Sequence, residues 1–381
     1  MKSPIKRIVS FFFVLAIAMM LILGIAFVGK ESSGPIEDFF QKVSSSVSKL
    51  EEDYILKKRS ETRASKLDWL AAYQQNPNLL KNPDSIFLGA YDNQAIPSFQ
   101  PIIDLEDSLN LTFPIIHFYT AWGSKREQRF PIEQIRAITT LGSIPLVTWE
   151  PWLNDFSEED FPTSASPEDR NKSGLQDIAA GLYDLYLTQW ARDAKNSQTT
   201  ILLRMGHEMN DPYRYPWGPQ NNQPEDFIAA WRHVVDLFRK QGADNVLWVW
   251  APHLAYGYFK EYYPGEQYVD WIGTGTLNYG TVAPWSQWWS FDEIFAKYYE
   301  EFAAFKKPIL LAEFGSLAVG GNRPAWYGKA FKDFPHRFPQ VKGLIFFHNK
   351  NDATTTFQSL NWYLIQDTET LTEIKKQLHT W

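Results

Sequence analysis

From residue 84 onward the chain alternates short apolar, β-rich runs with longer stretches whose apolar residues recur every three or four positions. The runs centre on Leu88, Ile116, Val147, Leu202, Trp248, Gly273, Leu310 and Leu344. Between them the period is helical: from Phe227 to Lys240, residues Ile228, Trp231, Val234, Val235 and Phe238 fall on one face, and Phe291 to Phe305 repeats the theme. Strand followed by helix, repeated, demands parallel strands joined by helical crossovers. Eight is the number that closes such a sheet on itself, so the pattern predicts an α/β fold, a (β/α)8 TIM barrel over residues 84–381.

The pattern upstream is different. Ile8 to Val28 is almost unbroken apolar sequence behind Lys2, Lys6 and Arg7, long enough to cross a bilayer with the positive charges left in the cytoplasm. Residues 1–29 therefore read as a signal anchor, or as a signal peptide cleaved near Gly24-Ile25-Ala26. Both readings put the barrel outside the cytoplasm, tethered to the cytoplasmic membrane in the first case and secreted in the second. Residues 30–83 read as a helical stalk. Phe39, Phe40, Val43, Val47, Leu50 and Tyr54 share the face of one amphipathic helix, and a second spans Ala64 to Tyr73. The stalk is expected to pack on the outside of the barrel or to meet a membrane partner.

Composition narrows the chemistry. A net charge of -7 without a clustered basic face argues against a nucleic-acid partner. The absence of cysteine removes disulfides, thiolate metal sites and a cysteine nucleophile. Sixteen Trp exceed what a core of this size requires, and flat amphipathic side chains suit a surface that stacks sugar rings. In a barrel of this class the chemistry sits at the C-terminal ends of the strands. Those ends read Tyr91-Asp92, His117-Phe118-Tyr119, Trp149-Glu150-Pro151-Trp152, Arg204-Met205-Gly206-His207-Glu208-Met209-Asn210, Trp248-Val249-Trp250 with His253 beyond, and Ala312-Glu313-Phe314-Gly315.

Two of these carboxylates follow buried strands, where a purely structural charge has little reason to stand. Cleaving a glycosidic bond needs a protonated carboxyl to supply the leaving oxygen and an ionised one on the opposite face. Glu208, half-buried beside His207 and Met209, suits the acid/base. Glu313, with Arg204 as its cation, suits the nucleophile. His117, His207 and Asn210 are candidate substrate-binding or orienting groups, and Trp149, Trp152, Trp217 and Trp250 are candidate stacking platforms. Other chemistries fail on spacing. The H-E-x-x-H pattern ends on Asp211, Gly273-Thr274-Gly275 does not complete a dinucleotide fingerprint, and there is no G-x-S-x-G elbow or Walker loop. Neither metal nor cofactor is required.

The segment from Leu203 to Asn210, followed by Tyr215-Pro216-Trp217-Gly218, resembles the strand-4 signature of glycoside hydrolase family 26. Ala312-Glu313-Phe314-Gly315 is similar to that family's nucleophile segment, and the likeness extends over about residues 84–350. The resemblance implies a retaining β-glycosidase, with family activities that include β-mannanase, mixed-linkage β-glucanase and β-1,3-xylanase. Two places depart from the family. After strand 6, where members place a tyrosine that contacts the nucleophile, this chain reads Thr274-Gly275-Thr276-Leu277-Asn278-Tyr279, so either Tyr279 takes that role or the contact is missing. Strand 8 ends in Phe346-Phe347-His348-Asn349, where the wider clan carries a tryptophan. The expectation is endo-type hydrolysis of a β-mannan or β-glucan class polysaccharide, with an exopolysaccharide in transit as a candidate. The alternative is a non-catalytic glycan-binding subunit of a membrane-bound polysaccharide synthase or exporter.

Overall fold

The computed structural model describes residues 53–381, apart from 94–97, 158, 160–165 and 357. Eight strands, β1 (Phe87–Tyr91), β2 (Ile115–Ala121), β3 (Ile144–Glu150), β4 (Ile201–Met205), β5 (Val246–Trp250), β6 (Trp271–Asn278), β7 (Ile309–Ser316) and β8 (Val341–Phe347), follow one another around a closed parallel barrel. Each predicted centre lies inside its strand.

Side chains alternate across each strand and so sort into two cores. Phe87, Ile144, Leu146, Leu202, Leu247, Val249, Trp271 and Leu310 fill the barrel's interior. Ile116, Val147, Leu203, Trp248, Leu311 and Leu344 point outward into the layer shared with the helices. Burying each such side chain stabilises the fold by about 1.5–3 kcal/mol. The interior is tight. A Cβ on Gly89 would stand 2.6 Å from Ile345 Cδ1 and 2.7 Å from the Ile115 carbonyl oxygen, so only glycine fits between β2 and β8.

The predicted helix from Phe227 to Lys240 begins three residues earlier and spans Pro224–Gln241. Proline at its first turn, the Gln223/Asp226 capping box and Gly242 in the left-handed region (φ 75°) fix both ends. The stretch from Phe291 to Phe305 is less regular than expected: a π-helical turn over Asp292–Ala296 leads into an α-helix over Lys297–Ala303.

Part of the segment read as a stalk closes the floor of the barrel. The compact unit begins at Ile55, and Leu67, Leu70 and Leu80 are buried in the same cluster as the barrel's interior residues. Arg63, 4% exposed, pairs with Glu106 and donates to the Leu141 carbonyl (2.8 Å) and the Ser143 hydroxyl (2.6 Å). The predicted helix from Ala64 to Tyr73 is divided instead among a helix ending at residue 67, a 3-10 turn over Asp68–Leu70 and a short helix over Ala71–Gln75. The apolar leader and the first amphipathic stretch, up to residue 52, lie outside the described residues. Among the described residues no helix is long and apolar enough to cross a membrane.

Candidate active site

Strict alternation along β7 would turn Glu313 away from the barrel axis, because Leu311 faces the helices and Ala312 the interior. A bulge corrects its aim. Thr274 pairs with Leu311 but Gly275 pairs with Glu313, so Ala312 is the extra residue that returns Glu313 to the inside. Its Oε1 accepts hydrogen bonds from the Tyr119 hydroxyl and the Arg204 guanidinium, both 2.7 Å. Arg204, 1% exposed, also reaches the Tyr119 oxygen (2.9 Å) and donates through Nε to Thr148 Oγ1 (2.7 Å), which lies 2.7 Å from His117 Nε2. Burial pushes the Glu313 carboxyl up, but Arg204 and the Tyr119 hydrogen bond outweigh it and hold the group below the usual glutamate range. Glu313 is thus kept ionised.

The chain leaves β4 through two left-handed residues, Gly206 (φ 49°) and Glu208 (φ 54°). A glutamate in that conformation costs on the order of 1–3 kcal/mol and persists only where its surroundings over-determine it. Here the Glu208 N–H donates to the Ala251 carbonyl (2.7 Å), and Asn210 ties the β4 and β5 loops together. Its amide donates to the carbonyls of His253 (2.9 Å) and Gly257 (2.8 Å) while its oxygen accepts the His253 N–H (2.7 Å). Asn210 is therefore committed to backbone. Asn210→Ala is expected to cost about 1–3 kcal/mol by leaving these buried groups unpaired, seen as a thermal midpoint lowered by several degrees. An unchanged midpoint would show that the loops hold without it.

Burial raises the Glu208 carboxyl above the usual range, and the opposing pull of His253 and of Arg214, whose guanidinium stands 3.4 Å away, only partly offsets it. The two carboxylates face one place. A Cβ on Gly275 would lie 3.7 Å from Glu208 Oε1 and 3.7 Å from Glu313 Oε2, so these oxygens are separated by at most twice that distance. With only a hydrogen on Gly275, nothing from β6 fills the space between them.

Residues 145–321, which include both carboxylates and their loops, match the model of Glycosyl hydrolase family 26. The chain resembles glycoside hydrolase family 26. It is 32% identical over 266 residues to Endoglucanase H of Acetivibrio thermocellus, covering 68% of this chain and 27% of that protein. It is 31% identical over 174 residues to a mannan endo-1,4-beta-mannosidase of Bacillus subtilis, covering 44% and 42%. The chain thus spans about a quarter of the first relative's length and less than half of the second's. The fold agrees with that of a family 26 β-mannanase from Bacteroides ovatus, with a TM-score of 0.54 at 15% identity over 80% of this chain and 92% of that one.

Set against family 26, the tyrosine contact to the nucleophile position comes from β2. Tyr119 makes it, whereas the Tyr279 hydroxyl pairs with Thr355 Oγ1 at 3.2 Å. Tyr119 was legible in the sequence as the next inward residue after His117, yet composition gave no reason to single it out. Tyr119→Phe is expected to release Glu313 upward, so the acid limb of the pH–kcat/KM profile moves to higher pH; an unmoved limb would assign the control of Glu313 to Arg204 alone. At the end of β8, where the wider clan has tryptophan, Phe347 stacks on Tyr91 (5.1 Å) and meets the edge of Trp362 (5.7 Å).

The remaining candidates separate by strand parity. Trp149 and Trp250 are fully buried on outward positions, Trp149 against Trp190 (4.4 Å) and Trp250 between Tyr263 (5.2 Å) and Phe305 (5.6 Å), so neither reaches the mouth. Trp217 is 3% exposed, stacked on Tyr215 (4.6 Å), and donates to the His207 carbonyl (2.7 Å). His207 Nε2 lies 3.0 Å from the Tyr215 hydroxyl, and burial with nearby Arg204 keeps its ring neutral. Trp152 is half-buried and donates to Glu150 Oε2 (3.1 Å). His117 sits one layer down, behind Arg204 and Tyr119, and burial keeps it neutral as well.

Among the described residues one trio, Glu208, Asp211 and His253, brings metal-type ligand atoms within 4.8 Å of one another. His253 Nδ1 already accepts the Ala255 N–H (3.1 Å). Two-carboxylate hydrolysis requires no ion there. A cleft of about 1090 Å³ lies at the opposite rim beside Val246 and Asp270, lined by Lys81, Arg232, Arg239 and Lys307, away from both carboxylates.

Proposed function

We propose that the chain is an endo-acting, retaining hydrolase of β-glycosidic bonds in a mannan- or glucan-class polysaccharide. The observation that carries this is the opposed environment of two buried carboxyls facing one space: burial raises Glu208 above the usual glutamate range, while Arg204 and Tyr119 hold Glu313 below it. In the first step Glu313 attacks the anomeric carbon while Glu208 gives its proton to the departing glycosidic oxygen. In the second, Glu208 takes a proton from water, whose oxygen replaces Glu313 at that carbon. Arg204 and Tyr119 stabilise Glu313 when it leaves as a carboxylate. The endo mode and the polymer class rest on the names of the relatives.

Reducing-end release from β-mannans and mixed-linkage β-glucans tests the activity, and proton NMR of the first-formed anomer tests retention. A folded protein that releases nothing from either polymer would sink the reading. An inverted first product would sink the retaining mechanism alone. Binding without turnover would favour the glycan-binding subunit of a membrane-bound polysaccharide synthase or exporter. Export supports either role, and it rests on the Lys2, Lys6, Arg7 and Ile8 to Val28 pattern. Protease digestion of the barrel in intact cells, with protection of the barrel as the negative result, tests it.

A further inference from the structure

Each of the two carboxylates has an arginine, and the two pairs are held differently. Arg204 reaches Glu313 at 2.7 Å from a side chain 1% exposed, beside the Tyr119 hydroxyl. Arg214 reaches Glu208 Oε2 at 3.4 Å, and 29% of its side chain is open to solvent. The first contact is tight enough to keep a carboxylate ionised. The second is long for a charge-assisted hydrogen bond, so it suits a carboxyl that is charged during only part of a catalytic cycle.

Arg214 is nevertheless mounted in place. Its guanidinium lies 5.2 Å from the centre of the Tyr215 ring. That ring stacks on Trp217 (4.6 Å, 12° between planes), and its hydroxyl lies 3.0 Å from His207 Nε2. Trp217 donates to the His207 carbonyl (2.7 Å), so none of the contacts that anchor this aromatic pair to His207 passes through the guanidinium. Other charges face Glu208 as well. Arg204 and Glu313 approach from β4 and β7, His253 and Tyr256 from the loop after β5, and Asp211 and Tyr215 from its own loop. Arg204 is committed to Glu313, and His253 is a cation only when protonated. Arg214 keeps its charge wherever a carboxyl titrates.

We infer that Arg214 is a positioning residue that stabilises the Glu208 carboxylate formed when the leaving chain departs, strengthening Glu208 as an acid in the first step and weakening it as a base in the second; the inference rests on the hydrolase reading. In the first step the bond from the anomeric carbon to the departing oxygen breaks, and that oxygen takes the Glu208 proton. A negative charge is left 3.4 Å from the guanidinium, which lowers the energy of that state. In the second step Glu208 takes a proton from water while the water oxygen bonds the anomeric carbon and the bond to Glu313 breaks. A carboxylate stabilised by Arg214 accepts that proton less readily. One contact thus moves the two half-reactions in opposite directions, which a general loosening of the fold would not do.

The test compares wild type, Arg214→Gln and Arg214→Lys in the full chain. On mixed-linkage β-glucan and β-mannan, whose leaving sugars need the proton, kcat/KM of Arg214→Gln is expected to fall about two- to fivefold. On dinitrophenyl β-cellobioside and β-mannobioside the first step needs no proton and kcat follows the second, so kcat is expected to rise by about two- to fivefold. The basic limb of the pH–kcat/KM profile on polymer should move to higher pH, because the burial that raises Glu208 is then opposed by His253 and Arg204 without Arg214. Arg214→Lys, which keeps the charge, should bring all three readouts back toward wild type. A loss on both kinds of substrate, or a basic limb that stays in place, overturns the assignment of Arg214 and leaves the hydrolase reading standing. A folded wild type that cleaves none of the four substrates overturns both.

Discussion

Replacing Glu313 by alanine is expected to lower kcat on polysaccharide by on the order of 10⁴-fold or more, since the covalent step loses its nucleophile. The same change strands a cation. Arg204 is 1% exposed, and its bond to Glu313 is the charge pair that offsets its burial. Breaking a buried pair by deleting one partner costs about 3–5 kcal/mol, so Glu313→Ala should also melt earlier. Glu313→Gln separates the two effects, because it keeps an oxygen for Tyr119 and Arg204 but cannot attack. Kinetics and thermal unfolding of both variants decide the matter. If Glu313→Gln folds as wild type does and still turns over at a comparable rate, the nucleophile lies elsewhere.

Glu208→Gln should lower turnover of the polymer by about 10²–10⁴-fold, the usual contribution of a positioned proton donor. The loss should shrink on a dinitrophenyl glycoside, whose leaving group departs without protonation. The pH profile carries a second signature. Activity requires Glu208 protonated and Glu313 ionised. With Glu208 raised by burial, the wild type holds its proton past the ordinary glutamate range and loses activity only as pH climbs beyond that raised value. With Glu313 lowered by Arg204 and Tyr119, activity fails only as pH falls below its depressed value. The variant should lose the basic limb and keep the acid one. A basic limb that survives in Glu208→Gln would assign the proton to another group.

All eight strands were legible because each is an apolar run bounded by a polar tail, and a barrel buries both faces of its strands. Glu208, Glu313 and Arg204 stood out as charges at the ends of such runs, and the structure brings them to one mouth. The tryptophans were harder to place, since residue type suggests stacking but parity decides direction. Trp149 is flanked by the inward Thr148 and Glu150 and has to face the helices; alternation alone contained that answer. For Glu313 alternation misleads, because a bulge is a relation between two strands and leaves no mark in either one. The role of Asn210 was hidden for a similar reason, as its partners lie more than 40 residues downstream. The floor formed by Leu67, Leu70 and Leu80 looked like stalk because its amphipathic period names no partner.

That bulge has an evolutionary meaning. One residue gained by β6 between Thr274 and Gly275 would pair with Ala312 and restore strict alternation, so that every residue of the β7 motif stayed in place while Phe314 turned to the interior and Glu313 toward the helices. The loss of hydrolysis in such a lineage would then be written in the length of the neighbouring strand, and a search for replaced glutamates would pass over it.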